Sequence, residues 1–244
     1  MRRIPLAAPG LEHLSRASTD IDAVFDIDCT DCARLAEFLA RVRKKHPDYH
    51  ARPVPPFGAS RAELLIVGLA PGLHGANRTG RPFTGDFAGI LLFRTLHKFG
   101  FASHEGSADP GDGLRLHRCR VTNAVKCLPP ENKPTPDEAR RCNHFLASEL
   151  AKFRPRAVLA LGTIAHHAVL RACGLKPGAY RFAHHAVHVL GSMAPADPPV
   201  RSALPLRLFD SYHCSRYNTQ TRRLTVPMFE AVVNDIATFL SAHP

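Results

Sequence analysis

The chain has 244 residues, 45% of them hydrophobic, enough for one sizeable α/β core or two small domains, and not the composition of a disordered protein. No apolar run reaches the ~20 residues of a membrane-spanning helix. The opening Met1-Arg2-Arg3-Ile4-Pro5 lacks the apolar stretch of a secretory signal, so a cytoplasmic protein without membrane attachment is expected. Lys and Arg number 32 against 21 Asp and Glu, a net charge of +11, and 25 of the 32 are Arg. Arginine suits bidentate phosphate contacts, so a polyanion partner is one reading; a bias in genome base composition is the other.

Residues 1–28 read as a loose N-terminal arm. From Cys32 to Lys45, Leu35, Phe38, Leu39 and Val42 fall at helical spacing. The four prolines in 46–60 mark a loop. Leu64–Val67 reads as a buried parallel strand feeding a glycine-rich loop, Gly68 to Asp86. Asp86–Phe99 predicts a helix with Ile90, Leu91, Phe93, Leu96 and His97 on its inner side. Arg120–Val125 is a second strand, and 128–136 a turn-rich loop. Thr135-Pro136 with Glu138 signals a helix start, and that helix is expected to reach Phe153. Ala157–Leu161 and Leu206–Phe209 complete four strands, with helices over Ile164–Cys173 and Thr225–Leu240. Strands alternating with helices imply a parallel sheet covered on both faces, and ligands of such sheets bind beyond the strands' carboxyl ends. Gly68–Asp86, Asn123–Cys127, Gly162 and His213–Asn218 all fall at those ends.

Cysteines stand at 29, 32, 119, 127, 142, 173 and 214. An odd count in a chain read as cytoplasmic argues against a disulfide framework. Cys119 and Cys173 lie in apolar segments and read as packed hydrophobes. Cys29 and Cys32 make a C-x2-C pair, and Cys127 and Cys142 a wider one. Soft thiolates select zinc or iron–sulfur clusters; the spacing alone does not separate the two, nor does it exclude four unliganded buried thiols.

The glycine-rich loop has neither the Gly-Lys-Ser/Thr ending of an ATPase loop nor the regular glycine pattern of a dinucleotide fold, which disfavours nucleotide triphosphates. It carries His74, Asn77, Arg78, Phe83 and Asp86 instead. Phe83 suits stacking on a flat ring, or is an ordinary core aromatic. Asp86, at a predicted helix start, reads from position alone as an N-cap.

The segments Gly68-Leu69-Ala70-Pro71-Gly72 and Asn77 through Phe83 to Asp86 resemble the first motif of the iron–sulfur uracil-DNA glycosylases, most closely family 5, the B type. Ser211 to Leu224 resembles their His-x-Ser-x-x-Asn loop, and Val125 to Thr135 resembles their middle segment. The likeness spans about 29–240. It implies a three-layer α/β/α sandwich with a central four-stranded parallel sheet, forming a single domain over 29–244. It also implies a monofunctional enzyme that hydrolyses the glycosidic bond of uracil, and of other deaminated bases such as hypoxanthine, in single- or double-stranded DNA of a bacterium or archaeon. The enzyme is expected to be monomeric and to use no magnesium or nucleotide cofactor.

Carried over residue by residue, the resemblance makes Cys29, Cys32, Cys127 and Cys142 ligands of a structural 4Fe–4S cluster. Asp86, His213 and Asn132 become the catalytic set. Gly68, Ala70, Gly72, Phe83, Asn123 and Asn218 would hold the base and sugar, and Arg78, Lys133, Ser215, Arg216 and Tyr217 would contact DNA. Three positions depart from the pattern. Gly72-Leu73-His74 replaces an early carboxylate, which moves water activation to Asp86. Phe87-Ala88 replaces a small residue and serine, and Arg222 stands where glycine is usual. A nucleotide-binding hydrolase and a non-catalytic iron–sulfur DNA-binding module are the competing functions.

Overall fold

The computed structural model describes residues 25–191 and 205–242. Strands β1 (Phe57–Gly58), β2 (Leu64–Gly68), β3 (Cys119–Asn123), β4 (Ala157–Leu161), β5 (Val187–Val189) and β6 (Arg207–Ser211) form one sheet in the order β1-β3-β2-β4-β6-β5. The central four are parallel, as expected; β1 and β5 add antiparallel edges. With two and three residues, these edge strands are too short for any periodicity to show in sequence. All five residues of β2, β3 and β4 are buried; β2 and β4 read as continuous apolar runs, whereas β3 also buries Arg120, Thr122 and Asn123.

Side chains alternate between the sheet faces. Leu64, Ile66, Val121, Leu159 and Phe209 pack against α3 (Phe87–Lys98) and α8 (Val226–Ala242). Leu65, Val67, Val158, Ala160 and Leu208 pack against α5 (Asn143–Phe153) and α6 (Thr163–Ala172). The result is the expected three layers. A further helix, α1 (Ala33–Lys45), lies on the segment after β3 through Leu35, Leu39 and Val42. No described helix is long and apolar enough to cross a membrane.

Three expectations need correction. The helix predicted from Pro136 to Phe153 breaks at Cys142 into α4 (Pro136–Arg141) and α5; the N-terminal Thr135 and Glu138 form a reciprocal capping box. On α3, Ile90 is 61% exposed and His97 is also solvent-facing, because Leu92 and Thr95 take the inner stripe with Leu91, Phe93 and Leu96. Most of the 1–28 arm lies outside the described residues, but Phe25 is not loose: it is buried 5.5 Å from the Phe145 ring.

Topology locates a crevice. From β2 the chain passes to β3 on one side; from β4 it passes to β6 on the other. Loops therefore leave the adjacent carboxyl ends of β2 and β4 in opposite directions, and a cleft opens between them.

Candidate active site

Three glycines let the lining of this cleft close up. A methyl on Gly68 would sit 2.5 Å from both Asn123 Oδ1 and the Phe83 ring edge. One on Gly75 would meet Asp86 Oδ2 at 2.8 Å, and one on Gly89 would strike the Phe83 carbonyl oxygen at 1.9 Å. Phe83 itself adopts φ +57°, a conformation costly for a bulky residue, and is buried. Two residues earlier, Arg81 spans to a second loop: the buried guanidinium donates to Thr84 Oγ1, Ser107 Oγ, the carbonyls of Asp109 and Pro110, and Asp112 Oδ2 at 2.6 Å. Burial raises the Asp112 carboxyl and Arg81 outweighs it, so the group ends below its ordinary range. Nothing in the sequence marked Arg81 out, because four of its five partners lie 26 to 31 residues downstream.

Asp86 is the N-cap of α3, its Oδ1 accepting from Gly89 N at 2.9 Å. Burial nonetheless pushes its carboxyl above the usual range, against the pull of the Gly89 and Ala88 N–H groups. The Asp86 charge in turn helps burial to raise the thiol of Cys214, the residue that follows His213. His213 sits over Phe83, rings 29° apart in tilt and 6.3 Å between centroids. Burial alone lowers its imidazole to about 4, so the ring is neutral at physiological pH. Asn218 Nδ2 donates to the His213 carbonyl at 2.9 Å, and Ser215 Oγ caps the short α7 (Arg216–Gln220) by accepting from Asn218 N. Asn123, 4% exposed at the end of β3, makes no side-chain hydrogen bond to any described residue, leaving its amide free toward the cleft.

The structure thus brings Gly68, Phe83, Asp86, Asn123, His213 and Asn218 to one place. Arg216 lies over the Phe87 ring at 5.9 Å, adjacent to Asp86, and Tyr217 is 70% exposed. Arg78 donates from Nε to the His74 carbonyl and packs its guanidinium on Gly85. Gly72 accepts from Asn77 N and has open space where a side chain would be. Ala70 packs instead against the cluster of Leu35, Val125 and Ala139. Asn132 and Lys133 lie on an exposed 3-10 turn, Asn132 at φ +56°; Asn132 has no hydrogen bond to the cleft residues.

Cys29, Cys32, Cys127 and Cys142 line a single cavity with Leu35, Val125 and Phe145. All four are free thiols raised by burial, Cys142 to about 11, and Cys127 is raised further by each of the other three. Lys126 donates its backbone N–H to Cys142 Sγ at 3.2 Å; its side chain, wholly buried, pairs with Glu149. Four thiols converging on one cavity are the donor set of a soft metal centre, a zinc ion or an iron–sulfur cluster.

Residues 55–237 match the Uracil DNA glycosylase superfamily. The chain is 46% identical over 211 residues to the type-5 uracil-DNA glycosylase of Thermus thermophilus, covering 84% of this chain and 90% of that one. It is 38% identical over 215 residues to the type-5 enzyme of Pyrobaculum aerophilum, covering 86% and 88%. Against the type-4 uracil-DNA glycosylase of Archaeoglobus fulgidus, 36% identity extends over 113 residues, 46% of this chain and 49% of the relative. With its cleft, its motifs and this likeness over most of its length, the chain belongs to the type-5 uracil-DNA glycosylases of the uracil DNA glycosylase superfamily.

Proposed function

We propose that this chain is a monofunctional uracil-DNA glycosylase acting through one catalytic domain, residues 29–244, and that it also accepts hypoxanthine. The observation that carries the reading is the convergence of Phe83, Asp86, Asn123 and His213 on the β2–β4 cleft. A base inside a duplex is out of reach, so it must be swung out into this cleft. Phe83 then supports one ring face. The unpaired Asn123 amide bonds the Watson–Crick edge, and a base that fails to match it leaves the amide unsatisfied at a cost of about 1–3 kcal/mol.

Cleavage of the glycosidic bond leaves its electron pair on the base and positive charge on the sugar. Asp86 as carboxylate stabilises that sugar cation and orients the attacking water. Because His213 is neutral, its N–H stabilises the developing negative charge on a base oxygen as a hydrogen-bond donor and not as a cation. Arg78, Ser215, Arg216 and Tyr217 at the rim, with Lys133 on the exposed turn, would contact the strand. Arg216 and Tyr217 are placed to fill the gap in the stack.

Cys29, Cys32, Cys127 and Cys142 would hold a 4Fe–4S cluster. When bound it supplies a crosslink between the segment entering α1 and the chain on either side of α4. The enzyme is read as a cytoplasmic monomer that takes single- or double-stranded DNA.

The test is an incubation with a labelled uracil-containing oligonucleotide in EDTA, followed by alkali. Scission at the uracil after alkali, with no cut before it, is expected. A requirement for magnesium with turnover of free nucleotides would establish the hydrolase instead. Binding without any alkali-labile site would establish the non-catalytic module.

A further inference from the structure

On the face of the sheet opposite α3 and Phe83, three side chains from three elements converge: His166 of α6, His188 of β5 and Asp210 of β6. Asp210 and His166 are wholly buried, and the His188 side chain is 15% exposed. His166 Nδ1 lies 2.8 Å from Asp210 Oδ1, and His188 Nε2 lies 3.1 Å from Asp210 Oδ2. Among the described residues no lysine or arginine pairs with this carboxylate. A buried carboxylate without a cation is strongly disfavoured.

The far nitrogen of His166 settles where its hydrogen is. Nε2 is 3.1 Å from the Tyr180 carbonyl oxygen, which can only accept. A neutral ring carries its hydrogen on Nε2, so that Nδ1 presents a lone pair to the Asp210 oxygen. The positive charge between those two lone pairs is either a proton on the ring or a metal ion.

We infer that His166, His188 and Asp210 form a metal site for a divalent transition ion of the zinc class, separate from the cysteines and independent of the glycosylase reading. The two nitrogens and one carboxylate suit such an ion, whereas calcium and magnesium favour oxygen alone. The ligand atoms all lie within 4.8 Å of one another, and the edge of His188 gives an entry path. A histidine ligand that fixes its ring by donating to a backbone carbonyl is the usual outer arrangement of metal sites. Bonds of ~2.0–2.1 Å put tetrahedral ligands about 3.3–3.4 Å apart, so side-chain rotations within the group would bring its atoms to the ion. The ion would tie α6 and β5 to the strand that continues into Ser211, Tyr212 and His213.

The test uses full-length protein with its native iron content, cleared of loosely held metal with a chelator and then exposed to zinc. Elemental analysis is expected to find about one zinc per chain, and X-ray absorption at the zinc edge only nitrogen and oxygen neighbours at ~2.0–2.1 Å. His188→Gln should lower zinc affinity at least about tenfold while iron content and circular dichroism stay unchanged. Asp210→Asn, which preserves shape, gives the same reading if the first variant does not fold. Absence of zinc uptake by the wild type would mean that a proton alone fills the gap, and would overturn the site. Sulfur neighbours at ~2.3 Å, or uptake undiminished in both variants, would overturn it equally.

Discussion

Asp86 carries two duties that pull its chemistry in opposite directions. As an N-cap it accepts from Gly89 N, which favours the carboxylate; burial favours the acid, and burial prevails. A group whose pKa is raised on folding contributes stability that is present below its unfolded pKa and lost as pH rises through the folded one. Ionised Asp86 therefore costs stability at neutral pH. Asn caps a helix as well as Asp, so Asp86→Asn is expected to unfold at the same or higher denaturant concentration than wild type at pH 7, with the gain vanishing in acid. Excision should meanwhile fall by several hundredfold or more, on the order of 10²–10³, with DNA binding kept. Near-wild-type turnover in single-turnover assays would remove Asp86 from the chemistry. For Asn123, loss of a buried reader of about 1–3 kcal/mol means a drop of about 5- to 150-fold on uracil for Asn123→Ala. Hypoxanthine should lose less, and equal losses on the two bases would end its reading role. His213 makes a pH statement of opposite sign. Its folded pKa, about 4, lies below that of a free imidazole, so the stability it contributes declines as pH falls from about 6.5 to 4. His213→Gln should flatten that part of the stability–pH curve relative to wild type.

At the level of elements, the cleft depends on turns that only certain residues allow. The Gly75 backbone lies against Asp86, so Gly75→Ala must displace the carboxylate or the loop, since the contact would be 2.4 Å to Asp86 Cβ. Excision is expected to drop at least tenfold with folding cost of about 1–3 kcal/mol, measured by kcat and by chemical denaturation on the same preparation. Arg222 presents the reverse case. It stands where the resembling motif has glycine, yet the chain keeps the glycine-like conformation, φ +58°, in the turn after α7. A left-handed backbone costs a non-glycine residue about 1–2 kcal/mol, and Arg222 is exposed, so Arg222→Gly should stabilise the protein by about 0.5–1 kcal/mol in denaturant titrations. The exposed side of α3 also differs from its sequence reading. Leu92 and Thr95 displaced Ile90 and His97 from the inner stripe because the sheet, the Phe83 backbone on Gly89 and α8 together set the helix rotation, and periodicity alone leaves that angle open by about one residue.

Across the whole molecule, the cysteine cavity joins parts of the chain far apart in sequence. Phe25 and Phe145 pack on one side of it, Leu35 and Val125 on another, and the buried Lys126–Glu149 pair adjoins it. A metal centre bound only by the folded chain contributes its binding energy to folding. Cys142→Ser is therefore expected to lose iron and to lower the apparent Tm by on the order of 10 °C, by calorimetry on anaerobic protein. Unchanged iron content would take Cys142 out of the ligand set.

The sequence by itself determined the layered parallel fold, because the buried strands β2 and β4 are apolar runs that alternate with helical periodicity, and a glycine-rich turn follows the first of them. It also put forward Phe83, Asp86, Asn123, His213 and the four cysteines as candidates, because their types and spacing resemble the family's motifs. What tertiary structure alone decided was arrangement. It set the short edge strands, the break at Cys142, the five-bonded Arg81 and the His166–His188–Asp210 group, whose members come from three elements and carry no shared local pattern. It also decided that Asp86 and His213 depart from their ordinary protonation, because desolvation depends on what surrounds a group in space and not on its neighbours along the chain.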